Sequence, residues 1–201
     1  MRSRLWSSLN DTAELHFKDE AHIGRVFGSQ YTRDVVGPDG RNSNDFAATI
    51  AMFADEKLVH GAPVNQGEEQ ALVVLYYLDA VDRQEPRQLA KDVNPAVISA
   101  FGGFSKSIIA NVSLPDPGNM LRYFQAPGAP TYSSAYQVHL QGKDDIPAFR
   151  VAQRQLETSL QDTIKVESAS VLFGVRSVVY DQTSDTKFDT VRQPRLSGFT
   201  S

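Results

Sequence analysis

Two periods of apolar residues divide this chain. In "NDFAATIAMFADEKLV", Phe46, Ile50, Phe53, Ala54 and Leu58 recur at helical spacing. Ser43 stands where a cap belongs, so the spacing predicts a helix closed by Gly61 and Pro63. The next apolar run, "ALVVLYYL", is hydrophobic on every side. With Glu68 and Glu69 ahead of it, at the positive end of a helix dipole, it is expected as a second helix from about Glu68 to Arg83. Its place would be the centre of the core or a subunit interface. Pro86 restarts the chain: "RQLAKDV" is expected as a short helix, and Asn94-Pro95 as the cap and first turn of another across "AVISAFGGFSKSII".

Residues 115–130, "PDPGNMLRYFQAPGAP", hold four of the ten prolines and admit no long regular element. Beyond them the period shortens. "YSSAYQVHLQ" places Tyr136, Val138 and Leu140 on one face and Gln137, His139 and Gln141 on the other, the pattern of a half-buried strand. Asp144, Asp145 and Pro147 open a helix with the stripe Phe149, Ala152, Leu156, Leu160 and Ile164. "VESASVLFGVRSVVYD" reads as strand with a bulge or break at Gly174, turned by "TSDT" into "KFDTV". The expected fold class is therefore α+β: a mainly helical N-terminal half followed by a compact β-α-β-β unit. The regions are 1–114 with an N-terminal arm, a crossing or linker at 115–130, and 131–201, which can pack with the helical half as one domain.

Composition narrows the chemistry. A chain of 201 residues with 41% hydrophobic and 22% charged positions can bury a proper core. It has no cysteine, which excludes disulfides, thiol catalysis and thiolate metal sites. A net charge of −4 gives no overall attraction to phosphate backbones or anionic membranes. The run from Ala71 to Leu78 is too short to cross a bilayer. The opening "MRSRLWSSLN" lacks the apolar core of a secretory signal and is read as an ordered arm of a cytoplasmic protein.

Several motifs carry candidate chemistry. Asp19-Glu20-Ala21-His22 spells the DEAH box of nucleic-acid helicases. That box acts from the end of an apolar strand on a nucleotide held by a phosphate loop. No G-x-x-x-x-G-K-[ST] occurs here and "TAELHFK" is no such strand, so the role is not carried over. His16, Asp19 and Glu20 would share a helix side, a ligand-like set without a distant partner. "ALVVLYYLDAVD" imitates a Walker-B strand, but with no phosphate loop it is expected as a buried helix ending in Asp79 and Asp82. "GGFSKS" (Gly102 to Ser107) could cradle an anion, with Lys106 assisting.

Residues 86–104 resemble the helix-turn-helix of DNA-binding regulators, with Ala90 at the small position, Leu89 and Val93 apolar, and a turn near Asn94. The resemblance implies phosphate contacts from Arg87, Lys91 and Lys106. Pro95 and Gly102-Gly103 depart from the pattern, and the second helix offers no Arg, Gln or Asn for base edges.

No catalytic, cofactor-binding or metal residue is assigned. The leading expectation is a non-catalytic, self-assembling structural subunit of a virion or another large particle, partnered by copies of itself or by other subunits. Its contact residues would be Arg2, Arg4 and Trp6 of the arm and Tyr123 and Phe124 of the crossing. The alternatives are a DNA-binding regulator using 86–104, and an enzyme or small-ligand-binding module with its pocket between the helical half and the β-α-β-β unit.

Overall fold

The computed structural model describes residues 12–38, 50–63, 72–82, 84–115 and 131–176. The chain divides into two compact units, one made of Met1–Phe53 with Leu114–Thr131 and the other of Ala54–Ser113 with Tyr132–Ser201.

In the first unit, helix α1 (Glu20–Phe27) starts where Asp19 caps it, the Asp19 carboxylate accepting from the backbone N–H of His22 at 2.7 Å. Glu20 in the first turn and Arg25 in the last suit the helix dipole. The Phe17 ring lies 5.8 Å from Phe27 and 5.7 Å from His22. A π-type turn follows at Thr32–Val36, and neither element has a buried residue.

The second unit is built on five antiparallel strands: β1 (Ala54–Gly61), β2 (Leu72–Leu78), β3 (Ser105–Ser113), β4 (Ser134–Leu140) and β5 (Ser170–Val175). Helix α2 (Pro86–Phe101) joins β2 to β3, and α3 (Ile146–Ser159) joins β4 to β5. The sheet order is β1-β3-β4-β2-β5. From β2 onward the chain runs β-α-β-β-α-β, the split β-α-β arrangement, and β1 adds an outer strand beside β3.

Both helices lie on one face of the sheet. Leu89, Val93, Val97 and Phe101 of α2 and Phe149, Ala152 and Leu156 of α3 form one core with Val74, Tyr76 and Leu78, with Ile108 and Ala110, and with Tyr136, Val138 and Leu140. Phe101 stacks on Phe149 at 4.7 Å, and Tyr76 meets both rings edge-on. Two hydroxyls pin helices to this face. Tyr76 donates to Glu157 at 3.2 Å, and Tyr136 donates to Asn94 Oδ1 at 2.7 Å. Burial raises both phenols above their ordinary range, with the Glu157 charge adding to the effect at Tyr76.

The α+β class holds, as do the β4 alternation, a strand at 170–175 and the Phe149, Ala152 and Leu156 part of the α3 stripe, whereas Leu160 and Ile164 lie past the helix end at Ser159. The mainly helical N-terminal half does not. Residues 54–61 are strand rather than the end of a helix, because pairing with β3 outweighs local spacing. The run expected as a helix from Glu68 to Arg83 is strand β2, set between β4 and β5. An all-apolar segment has no period to distinguish the two forms: Leu72, Val74, Tyr76 and Leu78 of β2 are buried in the core with the helices, and Val73 is buried on the other face. "SKSII", expected as helix, is the start of β3. Gly174 is neither bulge nor break but pairs in register with Val73. The segments expected as a helix start at Ser43 and as the "KFDTV" strand lie outside the described residues.

Candidate site on the sheet face away from the helices

Pairing register decides which side chains share the face opposite the helices. Ser107 on β3 faces His139 on β4, and His139 faces Val73 on β2, which in turn faces Gly174 on β5. On the far side Gly61 of β1 faces Ser107. One row thus runs Gly61, Ser107, His139, Val73, Gly174 across all five strands.

A bulge sets this row. Ser105 pairs with Leu140 and Ser107 with His139, so Lys106 is an extra residue, and its side chain is exposed. Gly61 has φ +76, and a Cβ there would lie 2.0 Å from the Lys106 carbonyl oxygen. Only glycine permits the end of β1 to approach the bulge so closely. At the other end the space beside Gly174 is open: a Cβ there would meet no atom within 4 Å.

At the middle of the row, His139 and Ser107 are both 0% exposed. Neither His139 Nδ1, nor His139 Nε2, nor Ser107 Oγ has a hydrogen-bond partner. A buried polar group left unpaired costs about 1–3 kcal/mol, so native proteins rarely keep several together without a use for them. Burial chiefly, and then the charges of Arg176 and Lys106, lower the His139 pKa to about 4. The ring is therefore neutral near pH 7, one nitrogen a donor and the other an acceptor. Chemically the pair offers a donor–acceptor imidazole and a rotatable hydroxyl in a setting dry enough to strengthen each bond they make.

Further along the same face, Tyr77 and Tyr132 pack with ring centroids 5.1 Å apart. Burial raises the Tyr132 phenol, partly offset by the neighbouring Ser170 hydroxyl, while Tyr77 and Asp79 raise it further.

The residues singled out by sequence are placed differently. Arg2, Arg4, Trp6, Tyr123 and Phe124 lie outside the described residues. Residues 86–101 form one continuous helix, with Pro95 inside it and no turn at Asn94, so the two-helix DNA-reading element expected there is not formed. The Asn94 side chain accepts a bond from Tyr136 instead of capping a second helix. Arg87 and Lys91 are exposed on α2, whereas Lys106 is on the β3 bulge. "GGFSKS" is a 3-10 turn at Gly102–Phe104 running into β3. Asp79 follows a strand, as in the Walker-B pattern, but accepts from Ser133 Oγ at 2.8 Å and pairs with Lys165 Nζ at 2.7 Å. It ties chain segments together at the end of β2. Among the described residues no group of three or more His, Asp or Glu side chains is placed to hold a metal ion. None of their helices is long and apolar enough to cross a membrane.

Sequence reasoning passed over His139 because an alternating strand normally presents its polar positions to water. Here Gln137 is 3% exposed and β4 is buried on both faces. One signal was present: between Ser134 and Leu140 the strand has polar residues but no Asp, Glu, Lys or Arg. No protein-family model matches this chain, and the search of curated proteins gave no match to it.

Proposed function

We propose that the sheet unit is a small-molecule-binding domain whose ligand sits on the face away from the helices, against His139 and Ser107. The observation that carries this reading is the pair of fully buried, unpartnered polar side chains facing each other in register. Neither side chain has surface open to water, so polar atoms of a ligand seated there would supply the bonds that both lack. Among the described residues the charges that act on His139 are those of Arg176 and Lys106, which favours a reading of binding by the neutral imidazole. The test is a fragment screen by thermal shift on the full chain. Ligands of this site raise the melting temperature of the wild type and lose that effect in the His139→Leu/Ser107→Ala double variant, but keep it in Arg87→Gln. Hits that ignore the double variant, or a screen without hits, count against the proposal.

A separate observation favours a second reading, the self-assembling subunit. Residues 12–38 contain no buried side chain, and Leu15 and Tyr31 are 69% and 67% exposed, with Val35 and Val36 also exposed. Apolar surface of this kind is characteristic of contact regions. Light scattering of the purified chain decides it: Leu15→Ser/Tyr31→Ser should reduce the mass of any assembly, and a monomer of unchanged mass at all concentrations removes the reading.

A further inference from the structure

No further inference is drawn: the strongest candidate, the exposed apolar side chains Leu15, Tyr31, Val35 and Val36 along residues 12–38, carries nothing beyond the assembly reading above, because nothing in the structure shows what covers them.

Discussion

His139 and Ser107 stand directly opposite each other on β4 and β3, both sealed from solvent, and neither satisfies its hydrogen-bonding groups. The relationship depends on the bulge at Lys106. In unbulged pairing Lys106 instead of Ser105 would stand opposite Leu140, and Ser105 would turn to the face that carries Ser107. The same pair supports predictions about stability that need no ligand.

Acid should destabilise the fold through His139. Its folded pKa, about 4, lies below the ordinary 6.5, so between these values the unfolded chain binds a proton that the folded chain does not. Stability is then lost as pH falls through that window. From pH 7.5 to pH 5 the loss from this group should be about 2 kcal/mol. Urea unfolding at the two pH values should show it, and His139→Gln should remove most of the difference. An unchanged slope in the variant would assign the acid sensitivity to other groups.

Removing the unpartnered hydroxyl should not weaken the fold. Ser107→Ala deletes a buried group that forms no bond, and should raise stability by up to about 1 kcal/mol or leave it unchanged. A loss above about 1 kcal/mol in chemical denaturation would mean that Ser107 has a structural partner after all.

The helix face should respond in the opposite way. Phe149→Ala opens a hole beneath Phe101 and Tyr76 and should cost about 3–5 kcal/mol. Tyr136→Phe keeps the ring but leaves Asn94 Oδ1 without its donor, and should cost about 1 kcal/mol. Tyr76→Phe should cost less than Tyr136→Phe, because Glu157 keeps its bond from Gln153 at 2.8 Å.

Gly61→Ala should be among the most damaging single-methyl additions at the described glycines. It combines a positive φ with a contact against backbone rather than a movable side chain. A cost of roughly 2 kcal/mol or more is expected, together with altered imidazole signals of His139 across the bulge. By contrast, Gly103→Ala, which meets nothing within 4 Å, should be nearly silent.

Which parts of this structure were legible in the sequence follows from whether local spacing and tertiary environment agree. Phe149, Ala152 and Leu156 repeat at helical spacing and face a core, and Tyr136, Val138 and Leu140 alternate and face the same core. Both were readable. β2 was not, since Leu72 to Leu78 is apolar throughout and its strand form depends on partners far along the chain. Asn94-Pro95 carries the signature of a helix start, but Leu89, Val93, Val97 and Phe101 bury one unbroken stripe and hold a single helix together through the proline. The site was missed for a related reason. Alternation shows which residues share a face, not whether that face meets water, and only the second decides what Gln137 and His139 do.

The sheet order also governs how the protein is made. β2 is synthesised early, yet its two neighbours are β4 and β5, so Val73 waits for His139 and Gly174 before it is paired on either side. Until then the nascent chain carries "LVVLYYL", a charge-free strand-former without proline, with both edges open. Such distant pairing slows folding and leaves the emerging chain prone to self-association. Expression yield should therefore depend on temperature and chaperone supply more steeply than the stability of the finished fold would suggest.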